Sequence, residues 1–145
     1  MWKKIVSTMI LTMICATGAG MQVAKVSAAE QTRKPVKIVQ TAGRDRLGDF
    51  APDFARYNDD ILFGEVWSKN DVLSLHDRSI VTVSALVASG IIDSSLKFHI
   101  ASARKNGVTK AEMAEILTQV AFYGGWPKAW AAFNMAKEVY AEEKK

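Results

Sequence analysis

The feature that most restricts the fold is a regular succession of helix-start and helix-stop signals from Pro52 onward. Ser74 precedes Asp77, and Thr109 precedes Glu112, at the spacing of a helix-capping pair. Helix-ending signals follow three apolar stretches: Gly90, Asn106-Gly107 and Gly124-Gly125. No segment shows sustained alternation of apolar and polar residues, which is the pattern of a half-buried strand. The sequence therefore predicts an all-α fold with five or six helices.

Apolar periodicity assigns the helices within this frame. Pro52 opens a helix with an apolar stripe, and a short segment around Gly64 to Lys69 follows. The stripe residues are Phe54, Tyr57, Ile61 and Leu62. The helix from Leu75 to about Ser89 is apolar nearly all round after Arg78, so we expect it to be buried on several sides. Asp93 or Ser94 caps the next helix, and Pro127 lies in the first turn of the last one.

The N-terminus is typical of an export signal. Lys3 and Lys4 precede an uncharged run from Ile5 to Ala19, and small residues at positions 26–29 fit cleavage after Ala28 or Ala29. The alternative is a retained anchor, but the run holds several Ser, Thr and Gly residues, and a spanning helix needs about 20 predominantly apolar residues. We therefore predict a signal peptide at 1–29 and a periplasmic or secreted protein, with no membrane attachment after cleavage.

Removal of this leader changes the charge and the chemistry of the chain. Three of the 19 Lys and Arg residues leave with it, whereas all 15 acidic residues stay, so 16 basic residues remain and the net charge becomes +1. This balance gives no reason to expect nucleic-acid binding. Cys15, the single cysteine, lies in the leader, so the mature chain has no thiol. The lack of a thiol excludes thiolate chemistry, and with two histidines in the sequence a metal cluster of several histidines within one chain is excluded as well, so we expect no metal or cofactor.

The remaining 116 residues suit one domain. Residues 30–50 are polar and are predicted to be a linker or a mobile arm, with the domain at 51–143. A small helical chain this rich in large apolar residues has more apolar surface than one small core hides, so we expect a homo-oligomer.

Several short motifs, in a fixed order, carry a family resemblance. They are F-G-x-x-W at Phe63–Trp67, D-R-S-x-V-T at Asp77–Thr82, a helix with His99, N-G-V-T-x-x-E at Asn106–Glu112 and Y-G-G-x-P at Tyr123–Pro127. With this order and spacing the chain resembles the carboxymuconolactone decarboxylase-like family from about Pro52 to Glu138. The resemblance implies a helical fold that assembles as trimers or hexamers, with sites close to subunit contacts.

The family has two chemistries, and the sequence favours one. The branch resembling alkyl hydroperoxidase D uses a Cys-x-x-Cys-x-x-x-His motif, which laid on His99 puts its cysteines at Ile92 and Ser95. Neither residue supplies a thiolate, so peroxidase chemistry is disfavoured. The resemblance then implies the other branch, which decarboxylates 4-carboxymuconolactone.

Decarboxylation of a lactone needs a group that stabilises the dienolate and an acid that protonates carbon. His99 is the candidate for the acid or donor, because imidazole titrates near neutral pH and both branches have a histidine here. Arg78 is the candidate anchor for a substrate carboxylate, with an intersubunit salt bridge as its alternative role. Glu65 is a candidate to orient His99 or carry a proton, although a surface carboxylate is the commoner outcome. His76 is expected to be exposed.

Four aromatic residues are candidates for the pocket wall, although each is also suited to core packing: Phe63, Trp67, Tyr123 and Trp126. The leading hypothesis is an exported, cofactor-free decarboxylase acting on a small carboxylated lactone or oxo-acid. Carboxymuconolactone metabolism is expected inside the cell, so an exported protein points to a different substrate. The alternative is a non-catalytic module outside the cytoplasm that binds a small anion in the same pocket.

Overall fold

The computed structural model describes residues 34–141, and these residues form six α-helices and no strand. The helices are α1 (Ala42–Leu47), α2 (Pro52–Arg56), α3 (Leu75–Ser89), α4 (Ser94–Lys105), α5 (Lys110–Gly124) and α6 (Trp126–Ala141). A π-helical segment, Tyr57–Trp67, continues α2 without a break. The all-α prediction is confirmed. The predicted signal peptide, Cys15 and the last two residues of the predicted domain lie outside the described residues.

The predicted caps are present. The Ser74 hydroxyl accepts the Asp77 backbone N–H at 3.0 Å. Thr109 and Glu112 form a reciprocal capping box, in which the Thr109 hydroxyl accepts the Glu112 N–H and the Glu112 carboxylate accepts the Thr109 N–H. For α4 the N-cap is Asp93, whose carboxylate accepts the Ser95 N–H at 2.8 Å.

Glycines end two of the long helices in the left-handed region. Gly90 ends α3 with φ of +80°, and Gly125 separates α5 from α6 with φ of +108°. Residues with a Cβ atom avoid these angles, so glycine lets the chain turn immediately after each helix. These turns bring α3 back to α4 and α5 back to α6, the two most extensively packed pairs of helices.

The core lies among α3, α4, α5 and α6. Its largest fully buried side chains include Val83, Val87, Leu96, Ile100, Met113 and Leu117. At the edge of the core, the Tyr140 hydroxyl donates a 2.7 Å hydrogen bond to the Val108 carbonyl. That bond fixes the end of α6 to the loop between α4 and α5. No helix among the described residues has the length and apolar character needed to span a membrane.

The expectation that α3 is buried on several sides is correct for one face only. Val83 and Val87 are fully buried, but Val81 is 59% exposed. Four helices of this length surround a core from one side each, so α3 keeps an outward face within the single chain.

The first apolar stripe is also exposed, and its helix is longer than predicted. Phe54, Tyr57, Ile61 and Leu62 are all among the exposed residues, and the helix runs through Gly64 to Trp67. A π-helix bonds residue i to residue i+5 and is wider than an α-helix. A stripe with α-helical spacing therefore spreads around it instead of staying on one face.

The segment predicted to be a polar linker or arm is held by hydrogen bonds to side chains at and just after the end of the π-helical segment. Asn70, which is buried, bonds Val36 twice, accepting its N–H at 2.8 Å and donating to its carbonyl at 2.7 Å. The Ile38 N–H donates to the Ser68 hydroxyl at 2.8 Å. These side chains bond backbone groups much as a neighbouring strand would, and they fix the course of residues 36–38 along the end of the π-helical segment.

Helix α1 is held by a buried carboxylate. Asp59 accepts the backbone N–H groups of Gly43 and Arg44, each at 2.9 Å, and also contacts the Arg44 guanidinium at 3.3 Å. Burial by itself would raise the pKa of Asp59, but these hydrogen bonds and one from Asn58 outweigh it and hold the pKa below its ordinary value. Asp59 thus stays ionised and binds the first turn of α1.

Candidate functional site

The candidate site is a cleft of about 170 Å³ beside His99 on α4. It is lined by residues from four parts of the chain: Ile38, Gln40, Phe63, Trp67, Leu75, Phe98, His99, Ser102, Lys105 and Asn106. Pockets for drug-sized ligands measure about 300–1,000 Å³, so this cleft suits a smaller molecule. We call it the His99 cleft.

His99 is half-buried, and burial lowers the pKa of its imidazole below the ordinary value of 6.5. The Phe98 ring packs against the imidazole in a T-shaped arrangement, with ring centroids 5.3 Å apart. Neither ring nitrogen forms a hydrogen bond with any residue of the described chain. Because its pKa is lowered below 6.5, the imidazole is uncharged at neutral pH, and one of its nitrogens can donate a hydrogen bond while the other can accept one. A bound carboxylate would favour its protonated form.

The π-helical segment supplies an aromatic wall. Phe63 and Trp67 are half-buried and lie with ring centroids 5.8 Å apart and planes tilted by 33°. The structure thus brings His99 into one cleft with Phe63 and Trp67, all three singled out from sequence, although His99 is more than 30 positions from the other two. Extended π-helical turns are uncommon and occur frequently at functional sites.

Two further residues that line the cleft come from the arm, and sequence reasoning missed both. Ile38 and Gln40 reach the cleft because Asn70 and Ser68 hold the neighbouring backbone. The Gln40 side-chain oxygen accepts the N–H of Ala42 at 3.1 Å, next to the start of α1. No local pattern marks these residues, since their place in the cleft depends on hydrogen bonds to residues about 30 positions away.

Ser102 and Asn106 were missed as well, although a helical signal was present. They follow His99 at positions i+3 and i+7, which lie on the same face of an α-helix. The Ser102 hydroxyl donates to the Phe98 carbonyl at 2.9 Å, and the Asn106 amide donates to the Ser79 hydroxyl at 2.9 Å. Both side chains are therefore held in place around His99.

Arg78 and Glu65 lie apart from the residues that line the cleft. The Arg78 guanidinium donates to the Lys69 carbonyl at 3.0 Å, and its buried Nε has no partner within the described chain. Glu65 is exposed on the π-helical segment and makes no hydrogen bond or ion pair with residues 34–141. The structure therefore does not bring either charged group into contact with His99 in the single chain.

Tyr123 and Trp126 are also outside the His99 cleft. They lie where α5 meets α6, beside Phe122 and Trp130, and all four side chains are more than half exposed. Phe122 packs on Trp126 with ring centroids 5.5 Å apart. We call these four residues the α5–α6 aromatic patch. An apolar groove of about 290 Å³ begins at Trp126 and Trp130 and continues along α6.

His76, expected to be exposed, is partly buried between two carboxylates. Its Nδ1 lies 2.9 Å from the Asp77 carboxylate and its Nε2 lies 3.3 Å from Glu112. The hydrogen bond with Asp77, followed by that with Glu112, raises the pKa of His76 above 6.5. Glu112 belongs to the capping box of α5, so a protonated His76 links the first turns of α3 and α5.

The two histidines predict opposite effects of pH on stability. Folding raises the pKa of His76, so the contribution of His76 to folding stability is complete below pH 6.5. That contribution is lost as the pH rises through the folded-state pKa. The pKa of His99 is lowered, so the unfolded state takes up its proton first and stability falls as pH drops below 6.5.

Urea unfolding midpoints of His76→Gln and His99→Gln, measured from about pH 5 to about pH 8.5, check this. We expect the loss caused by His76→Gln to be largest at low pH, and His99→Gln to remove part of the low-pH decline of the wild type. Parallel profiles for all three proteins would contradict both assignments.

Together, these features define an all-α protein with a histidine-containing cleft walled by aromatic residues. The chain belongs to the carboxymuconolactone decarboxylase family, whose model matches residues 52–138. It is 39% identical over 98 residues to the 4-carboxymuconolactone decarboxylase of Acinetobacter baylyi, a match that covers 68% of this chain and 72% of the relative. It is also 31% identical over 85 residues to an uncharacterized 15.0 kDa protein in the nqo9–nqo10 intergenic region of Paracoccus denitrificans, covering 58% of this chain and 63% of that protein.

These relationships confirm the resemblance predicted from the motifs. At the level of the family they support a carboxymuconolactone decarboxylase-like activity. The matched region contains His99 and both aromatic residues of the cleft wall, but it begins after the arm residues Ile38 and Gln40. Part of the cleft is therefore built by chain outside the region that the family model covers.

Proposed function

We propose that this protein is a cofactor-free decarboxylase of a small carboxylated lactone or oxo-acid, with His99 as the group that handles the proton. The observation that carries the proposal is a half-buried imidazole without a hydrogen-bond partner among residues 34–141, facing an aromatic wall. The ring nitrogens are accessible from the cleft, since among the described residues the buried side-chain nitrogen or oxygen without a partner is Arg78 Nε and not an atom of His99. An imidazole whose nitrogens are both available is suited to bind and protonate a substrate.

The chemistry requires one bond to break and one to form. The bond from the ring carbon to the carboxylate breaks, carbon dioxide leaves, and its electron pair delocalises into the unsaturated lactone as a dienolate. With the substrate carboxylate bound, His99 is protonated, and its N–H stabilises the developing negative charge by a hydrogen bond. The imidazolium then gives its proton to carbon to form the new C–H bond, and water returns a proton to the neutral imidazole. The wall of Phe63 and Trp67 is a poor environment for the departing carboxylate, which favours loss of its charge.

Arg78 and Glu65 keep subsidiary roles in this proposal. The Arg78 guanidinium has one hydrogen bond, to the Lys69 carbonyl, and no ion pair within the described residues, so it can bind an anion without losing a salt bridge. Glu65 has no ionic partner there either, and it shares the π-helical segment with the aromatic wall. Both are proposed to act on a substrate or on His99 where a neighbouring subunit completes the site.

The place of action restricts the substrate. The leader features at 1–29 support the proposal that the mature protein is exported, to the periplasm or outside the cell. A small acid or lactone present there is then the substrate. The first probe is 4-carboxymuconolactone, because one relative is named 4-carboxymuconolactone decarboxylase.

The test is carbon dioxide release by the purified mature protein from 4-carboxymuconolactone, with substrate binding measured in parallel by calorimetry. Release above the uncatalysed rate supports the proposal. Binding without release would instead identify an anion-binding module on the same fold. If the protein neither binds this probe or related lactone acids nor releases carbon dioxide from them, the assignment of the His99 cleft as the site is overturned.

We also propose that the protein is a homo-oligomer, a trimer or a hexamer, joined through the α5–α6 aromatic patch. Tyr123 is 85% exposed and Trp130 is 66% exposed, next to an apolar groove along α6. Contiguous apolar patches of this kind mark interaction surfaces on soluble proteins. The exposed stripe on α2 and the π-helical segment provides further apolar surface for the same purpose.

Trp130→Glu is expected to shift the assembly to monomers, because association would bury a carboxylate without a partner. Size-exclusion chromatography with light scattering measures the mass directly. Val72→Glu is the matched control, since Val72 is 84% exposed in the loop before α3 and lies outside the patch. A monomeric wild type, or a Trp130→Glu protein with unchanged mass, would contradict the proposed interface.

A further inference from the structure

The His99 cleft has one cationic side chain among the residues that line it, and sequence reasoning did not select it. Lys105 is the last residue of α4, and no acidic side chain shares the cleft with it. Arg78, the residue expected to bind a carboxylate, is not part of the lining. Among the described residues that line the cleft, Lys105 is therefore the lysine or arginine available to an anion held there.

The other lysine and arginine side chains of α4 are already engaged. The Lys97 ammonium lies 2.7 Å from the Glu138 carboxylate, and the Arg104 guanidinium donates to the Val139 carbonyl at 2.6 Å. Lys105 forms no hydrogen bond and no ion pair with residues 34–141. Its ammonium can thus bind a ligand without first breaking a contact inside the protein.

The remaining polar groups of the cleft offer little competition for an anion. The Ser102 hydroxyl proton is given to Phe98, and the Asn106 amide donates to Ser79. The Gln40 side-chain oxygen is already an acceptor at the start of α1. His99 and Lys105 are therefore the principal groups for recognition, one suited to proton transfer and one to charge.

Lys105 also lies where two depressions meet. A wider groove of about 620 Å³ between α4 and α6 shares Lys105 and Phe98 with the His99 cleft. A substituent bound to Lys105 therefore lies at the border between the His99 cleft and this groove. The geometry fits a compact ring at His99 with an acidic substituent that points toward the end of α4.

The chemistry decides which carboxylate Lys105 should bind. A cation held on the departing carboxylate would stabilise the ground state more than the transition state, because the charge leaves that group as the bond breaks. A cation on a carboxylate that stays charged throughout contributes binding without opposing the reaction. Resting on the decarboxylase function proposed above, we infer that Lys105 binds the carboxylate that the substrate retains. The site is thereby selective for acids with two carboxylates.

The test compares an acid with its neutral ester in two proteins. The probe is the lactone of 3-hydroxyadipic acid, which carries only the retained carboxylate, and its methyl ester is the uncharged reference. We expect the wild type to bind the acid about 10-fold more tightly than the ester, as for a charge-assisted hydrogen bond at a partly exposed site. Lys105→Gln should bind both equally, and Lys105→Arg should restore the preference for the acid.

Lys110→Gln is the matched control, since Lys110 is also an exposed lysine at a helix end without an ion pair in the described chain, but it begins α5 and lies outside the His99 cleft and the α6 groove. It should keep the preference for the acid. With 4-carboxymuconolactone, Lys105→Gln should raise KM and leave kcat nearly unchanged, because the lost contact is equal in the ground and transition states.

An acid preference that persists in Lys105→Gln, or a wild type that does not distinguish acid from ester, would overturn the inference. An acid preference that depends on Lys105, in a protein that releases no carbon dioxide, would uphold Lys105 and remove the decarboxylase function instead.

Discussion

His99→Gln is expected to lower kcat for 4-carboxymuconolactone by about 100-fold to 10,000-fold, the usual contribution of a positioned general acid. Glutamine can donate a hydrogen bond from its amide, but it cannot transfer a proton near neutral pH. Because His99 is half-buried and has no partner within residues 34–141, the substitution removes no internal hydrogen bond. The binding of substrate should therefore be largely retained while turnover is lost.

The measurement is carbon dioxide release under saturating substrate, with calorimetry for binding. His76→Gln is the matched control, because it makes the same substitution at the other histidine, which contacts Asp77 and Glu112 and not the cleft. It should keep the wild-type kcat. If a folded His99→Gln protein turned over at the wild-type rate, His99 would have no role in the proton transfer.

Leu117→Ala is expected to reduce the free energy of unfolding by about 2–5 kcal/mol, the usual range for removing a buried leucine side chain. Leu117 is 0% exposed and belongs to the core that α5 shares with α3, α4 and α6. The loss combines the apolar transfer term with the cavity left behind, since the neighbouring helices cannot fully close the space. Domains have a total stability of about 5–15 kcal/mol, so a large share is removed.

Urea unfolding at one fixed protein concentration checks this value, because association would otherwise add to the apparent stability. Val72→Ala provides the contrast, because the Val72 side chain is 84% exposed. Shortening this side chain should change the free energy of unfolding by about 0.5 kcal/mol or less. A loss from Leu117→Ala as small as that of Val72→Ala would contradict the assigned core.

The candidate site was predicted only in part, and the reason is physical. His99, Phe63 and Trp67 were found because short motifs contain them, and the structure assembles them into one cleft. Lys105 was missed because an isolated lysine at the end of a helix looks like any solvent-exposed cation. Arg78 was selected for its place at the start of an apolar helix, but in the structure its guanidinium bonds the Lys69 carbonyl.

The sequence by itself determined the four long helices, α3 to α6, and most of their ends, but not α1 or the extent of the π-helical segment. The Thr109–Glu112 capping box, the Ser74 cap and the left-handed glycines at 90 and 125 are local devices, each formed among residues a few positions apart. Tertiary structure alone decided which helix faces are covered, how far the π-helical segment extends and that Ile38 and Gln40 complete the cleft. Those outcomes depend on hydrogen bonds and packing between residues distant in the chain, such as Asn70 with Val36, which no local pattern encodes.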